Sequence, residues 1–158
     1  MNWRKVTFLK VIVIVIGIIV FSLCIFALPS LAEYSAEMNP EYAYLKYPVL
    51  IGLYVTTLPF FFSLYQALKL LSLIENKNAF SESAVMTLNQ IKYCAIAIVI
   101  LYVIGMILLG IVNALHPGIA LIELVIIFTA FVISLFTDVL QELLKNALKL
   151  KTENDLTI

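Results

Sequence analysis

Three long windows of this chain hold no charged residue. Val11 to Ala32 lies between Lys10 and Glu33, Tyr47 to Leu68 between Lys46 and Lys69, and Tyr93 to Leu115 between Lys92 and His116. Each has about the 20 apolar residues that a helix needs to cross the hydrocarbon core of a bilayer. A fourth window, about Ile119 to Gln141, contains Glu123 and Asp138. Each of those acids is near an end, where water and headgroups are within reach and an ionisable group costs far less than at the centre. The chain is 63% hydrophobic and 13% charged over 158 residues. Soluble domains carry about 25% charge, so a single soluble core would not hide this much apolar side chain. The expected fold is all-α: a polytopic membrane protein built as a four-helix transmembrane bundle.

Basic residues set the expected orientation. Arg4, Lys5 and Lys10 precede the first span; Lys69, Lys77 and Lys92 sit between the second and third; Lys145, Lys149 and Lys151 follow the fourth. Only Lys46 falls in the other compartment, so nine of the ten basic residues share one side. By the positive-inside rule that side is the cytoplasm. Both termini are then inside, and the Glu33–Tyr47 loop and the His116-Pro117-Gly118 turn are outside. Zero net charge and no basic run longer than Arg4-Lys5 argue against direct nucleic-acid binding. One rival to the first span is a signal peptide, since Ser30 and Ala32 stand at the −3 and −1 positions of a cleavage site. The apolar run exceeds the 7–15 residues of a signal core, so the span is expected to be retained.

Several residues inside the spans call for a reading. Pro48 suits a first helical turn. Pro59 is mid-span and leaves the Val55 carbonyl without its donor; it reads either as a hinge or as a static kink, with Thr56 able to bond back to the freed backbone. Ser63/Ala67, Gly110/Ala114 and Ala130/Ser134 are small residues four apart, a spacing that lets helices approach closely. Cys24 and Cys94 fall in opposite halves of the membrane and read as packing residues. Glu123, about one turn past Pro117-Gly118, is a candidate polar intramembrane site or a locally satisfied interfacial acid near a helix N-terminus. Asp138 is a weaker candidate, at the inner boundary beside Gln141, Glu142 and Lys145. Outside, Glu33, Glu37 and Glu41 recur every four residues among Tyr34, Tyr42, Tyr44 and Tyr47, the pattern of an interface-hugging loop.

No metal-ligand cluster, Gly-rich phosphate loop or catalytic pair is legible, and His116 is the only histidine. The sequence implies no cofactor and no enzyme. Beyond Lys69 the apolar pattern becomes one-sided: Leu68, Leu71 and Ile74 before the polar island, Val85, Leu88 and Ile91 after it. Ser81 is a good N-cap, and Phe80 with Val85 has the spacing of a hydrophobic staple. Asn76 and Asn78 are natural helix stops. The second helix is therefore expected to run to about Glu75 and the third to start at about Glu82, forming a hairpin that projects into the cytoplasm. The amphipathic stretch 142–158 is expected to lie beside it. Lys77 and Phe80 exceed what a turn requires, and with Lys145 and Lys149 they form a candidate partner-docking surface.

"YLKYPVLIGLY", "PFFFSLYQALKLL", "NKNAFSES", "IKYCAI" and "KTENDLTI", in that order over nearly the whole chain, resemble the YoaS-like family of small bacterial membrane proteins. The resemblance implies a four-helix membrane protein without an assigned activity. Because members are often encoded beside a small helix-turn-helix regulator, it also implies a membrane partner for such a regulator. Transport of a small solute or ion by an oligomer, using Glu123 and the outer acidic loop, is the first alternative. Self-protection against a membrane-active peptide, using the outer acidic loop, is the second. The oligomeric state is not legible.

Overall fold

The computed structural model describes residues 3–157. Five α-helices account for nearly all of them: α1 Trp3–Ser22, α2 Leu28–Met38, α3 Lys46–Glu75, α4 Glu82–Ile111 and α5 Pro117–Leu156. A π-turn, Leu23–Ala27, joins α1 to α2, and a 3₁₀ turn, Pro40–Leu45, leads into α3. Four helical stretches are long and apolar enough to cross a membrane: Trp3–Met38, Pro40–Glu75, Glu82–Ile111 and Pro117–Leu156. At 1.5 Å per residue, α5 is about 60 Å long, twice the ~30 Å of a hydrocarbon core. Large apolar side chains face outward along all four stretches; Phe26, Leu58, Ile111 and Phe128 are 72%, 69%, 70% and 68% exposed.

The main helix–helix packing follows chain order, α1 on α3, α3 on α4 and α4 on α5. Lys10 pairs with Glu75, which sets the start of α1 beside the end of α3. Lys92 pairs with Asp138, which sets the start of α4 beside the last third of α5. The turn over residues 76–81 and both ends of the described chain therefore lie at one end of the molecule, called the hairpin end below. Nine of the ten basic residues lie toward it, as the sequence requires.

The most extensive packing is between α4 and α5. On α5 the buried residues are Ala130, Ser134, Thr137 and Gln141, spaced four, three and four apart. On α4 they are Ala84, Thr87, Leu88, Cys94 and Ala95. Small side chains on both helices let the backbones approach closely. Two of the buried hydroxyls are satisfied locally, Thr87 Oγ1 donating to Ser83 O at 2.8 Å and Ser134 Oγ to Phe131 O at 2.7 Å. On the other side α1 meets α3 through Phe21, edge-on to Phe61 with centroids 6.3 Å apart, and through Gly17, where an added Cβ would stand 3.5 Å from Leu64 Cδ1.

The π-turn has a cause in the sequence. Leu28 N–H bonds to Leu23 O, one residue further back than in an α-helix. In that register the donor to Cys24 O would come from residue 29, which is proline and has no N–H. The Cys24 carbonyl is left over, and Tyr54 on α3 donates its hydroxyl to it at 2.7 Å. Replacing Tyr54 by phenylalanine strands that carbonyl. The expected cost is about 1–3 kcal/mol, read as a lower unfolding temperature of purified protein, whereas Tyr65→Phe, at a ring 62% exposed, is expected to change little.

Helix ends follow local chemistry, with three departures from expectation. Ser81 caps α4 as expected, accepting from Ala84 N at 3.2 Å. At the end of α3 the residue that turns left-handed is Lys77 (φ 62°), not a neighbouring asparagine. Asn78 N donates to Leu73 O and Lys77 N to Ile74 O, the paired bonds of a Schellman cap. The end of α4 repeats this with Asn113 (φ 57°): Ala114 N donates to Leu109 O and Asn113 N to Gly110 O. α4 therefore stops at Ile111, short of Leu115, and Gly110/Ala114 belongs to a cap rather than to a helix interface. The 33–47 segment is likewise mostly helical: α2 runs to Met38 before Pro40 opens the 3₁₀ turn. A left-handed lysine is strained by about 1 kcal/mol relative to glycine. Lys77→Gly is therefore expected to raise the unfolding temperature, and an unchanged or lower value would contradict this reading of the turn.

Candidate functional site

The structure places the residues singled out in the sequence in separate parts of the molecule. Lys145 and Lys149 line a groove at the hairpin end, between the start of α4 and the last turns of α5. Its other walls are Glu82, Val85, Met86, Leu148 and Thr152, and its volume is about 510 Å³. Met86 is 63% exposed there, an unbranched apolar side chain with nothing packed over most of it. Lys77 and Phe80 do not line this groove; they stand exposed on the turn beyond it. The four candidate docking residues are thus not one surface but a groove with two lysines and a separate tip.

Asp138 belongs to a polar cluster where α4 meets α5. Lys92 Nζ donates to Asp138 Oδ1 at 3.1 Å and to Gln141 Oε1 at 3.2 Å. Gln141 Nε2 in turn donates to Asn89 Oδ1 at 3.2 Å and to Val85 O at 3.4 Å. Gln141 is 4% exposed, so its amide is the buried hub, while half of the Asp138 side chain still faces outward. Lys92 and Gln141 are functional-looking residues that the sequence reading left unassigned. The available signal was depth: counted from the span ends, Lys92, Asp138 and Gln141 fall at one level. A second buried amide, Gln66 on α3, is 4% exposed, and its Oε1 has no partner among the described residues.

Glu123 lies at the opposite end of α5, fifteen residues from Asp138, or about 22 Å along the helix. The two acids therefore do not form one intramembrane site. Glu123 lines a cavity of about 420 Å³ between α3, α4 and α5, whose walls are otherwise mostly apolar. The polar members beside it are Thr56 and Tyr102, whose hydroxyls are 3.3 Å apart. Glu123 Oε2 is buried without a hydrogen-bond partner among the described residues. Pro59 lies inside an unbroken α3. Thr56 Oγ1 donates to Leu53 O at 2.7 Å rather than to the Val55 carbonyl that Pro59 leaves free.

A family model described as a protein of unknown function, DUF2975, matches residues 30–158. The chain belongs to this family. It is also 51% identical over 160 residues, covering the whole of both chains, to the uncharacterized membrane protein YoaS of Bacillus subtilis (strain 168). The YoaS-like resemblance read from the sequence therefore holds along the full length. No solved structure matches. With four spanning-length helices, an outward apolar surface and this relative, the DUF2975 chain is a multi-pass membrane protein of four-helix architecture. The cavity at Glu123 and the groove at Lys145 both fall within the matched residues or between helices that they supply.

Proposed function

We propose that the protein is a non-enzymatic docking protein of the bacterial cell membrane, with its hairpin end in the cytoplasm. Orientation rests on the clustering of nine of ten basic residues at that end. The observation that carries the docking role is the groove between α4 and α5, where Val85, Met86 and Leu148 give an apolar floor and Lys145 and Lys149 a basic rim. An amphipathic helix seats its apolar face in such a groove. Two lysines against the single Glu82 select a helix flanked by acidic residues. A small helix-turn-helix regulator, the partner implied by the family resemblance, is the first occupant to test.

The test is recovery of that regulator with full-length protein from gently solubilised membranes. The double variant Lys145→Glu/Lys149→Glu is expected to lower recovery by about tenfold or more, equivalent to ~1.4 kcal/mol or more. Both lysines are exposed, so membrane insertion and thermal stability should stay near wild type. Lys77→Glu, on the turn outside the groove, is expected to weaken recovery less. Equal recovery from wild type and the double variant would end the docking role of the groove.

A further inference from the structure

The cavity at the other end of the molecule holds a buried carboxylate oxygen. Glu123 Oε2 is shut off from solvent and without a partner among the described residues. Lys46, the one lysine or arginine at this end, has its Nζ 5.2 Å from the centroid of the Tyr47 ring and forms no ion pair with Glu123, and His116 Nδ1 accepts from Gly118 N. A carboxylate taken out of water without a countercharge costs several kcal/mol, so a cation seated beside Glu123 would be held by the relief of that cost. Around Glu123 the space is open rather than filled. Gly52 lines the cavity, and a Cβ added there would meet nothing within 4 Å. Gly105 also lines it, and its Cβ would stand 4.0 Å from Glu123 Oε1, so the absent side chain leaves the carboxylate unobstructed. The remaining walls are aliphatic except for the Thr56 and Tyr102 hydroxyls and the Tyr102 ring.

A volume of about 420 Å³ is in the range of pockets for small organic ligands, roughly 300–1,000 Å³. A hydrated metal ion would leave the apolar walls wet, and a neutral apolar molecule would leave the carboxylate alone. We infer that this cavity binds a hydrophobic monocation, an amine or onium group carrying an aromatic or alkyl body, with Glu123 as counter-ion and Tyr102 as hydroxyl and ring partner. The onium charge meets the carboxylate and the face of an aromatic ring, while the body replaces lipid against the aliphatic walls. The same charge is present on the amine headgroup of a phospholipid. That headgroup also carries a phosphate, which would be set beside Glu123 with like charge, so the occupant is a free amphiphilic cation.

The test uses full-length protein in dodecyl maltoside micelles, which carry no amine headgroup, and radiolabelled tetraphenylphosphonium, with triphenylphosphine oxide as an uncharged competitor. Wild type is expected to show saturable binding that the uncharged compound displaces at least tenfold less well than unlabelled cation. Glu123→Gln keeps the shape and removes the charge; Gly52→Leu keeps the charge and fills the space. Each is expected to weaken binding at least tenfold. Equal affinity in wild type and Glu123→Gln would overturn the counter-ion role, and unchanged binding by a folded Gly52→Leu would place the ligand elsewhere. Non-saturable partition alone in wild type would overturn the site itself. Phosphatidylethanolamine or phosphatidylcholine added to the micelles is expected to leave the affinity unchanged; competitive loss would assign the cavity to the lipid amine instead. Binding here is independent of the groove at the hairpin end, so failure of either leaves the other standing.

Discussion

Enlarging the α4–α5 seam is expected to destabilise this protein more than any substitution on its outward surface. Ala84 on α4 is fully buried and Ala130 on α5 is 7% exposed, so neither site has room for a larger side chain. A leucine at either site forces side chains off their rotamers or the backbones apart, at about 1–3 kcal/mol each. Forty-six residues separate them in sequence and they lie at different levels of the seam, so the costs should nearly add in the double variant Ala84→Leu/Ala130→Leu. Leu58→Ala, at a side chain 69% exposed, is expected to cost under about 0.5 kcal/mol. Thermal unfolding in one detergent gives the comparison. A double variant as stable as Leu58→Ala would mean that the seam is not close-packed.

The second large effect is expected at Gln141, and its size relative to Asp138 is the informative part. Both accept from Lys92, and the charged pair looks stronger on paper. Burial decides otherwise. The Asp138 side chain is 49% exposed, so solvent screens its attraction for Lys92, and Asp138→Asn is expected to cost less than about 1 kcal/mol. Gln141 is 4% exposed and joins Lys92, Asn89 and the Val85 carbonyl. Gln141→Leu leaves those groups under-satisfied in a region poor in water, at about 1–3 kcal/mol. The reverse order of the two variants would show that the ion pair, and not the amide, holds α5 to α4.

Most of the architecture was legible because charge in a membrane chain is rare enough to act as punctuation. The gaps between Lys10 and Glu33, Lys46 and Lys69, and Lys92 and His116 mark three helices without any appeal to propensity. The cap at Ser81 was legible for an equally local reason, a hydroxyl placed just before an apolar repeat. What sequence does not display is which residue at a helix end turns left-handed. Glycine is the usual choice and asparagine the next, yet at 76–78 the lysine between two asparagines takes that conformation, because hydrogen-bond register and not residue preference fixes the position. The π-turn was likewise hidden: Pro29 reads as a local irregularity, and only Tyr54, 30 residues from Cys24, reveals which carbonyl it frees.

The candidate sites were less legible than the spans, since a site needs neighbours from different helices. Asp138 looked solvent-bound while its partner Lys92 was counted only as a loop charge. Glu123 stood out as the acid inside a span, but the apolar cavity beside it depends on two glycines from two other helices. Lys145 and Lys149 share a face by their spacing alone; the other side of their groove comes from Glu82, Val85 and Met86, sixty residues earlier.

Everything proposed for the groove depends on the side of the membrane that it faces, and cysteine accessibility measures that directly. Ser35 on α2 and Ser83 on α4 are both exposed and sit at opposite ends of the molecule. With Cys24 and Cys94 replaced by alanine, single cysteines at these positions can be challenged with a membrane-impermeant maleimide. Ser35→Cys is expected to label in intact cells, and Ser83→Cys only after the membrane is permeabilised. Labelling of Ser83→Cys in intact cells, with Ser35→Cys protected, would put the hairpin end outside and remove any cytoplasmic partner from the groove.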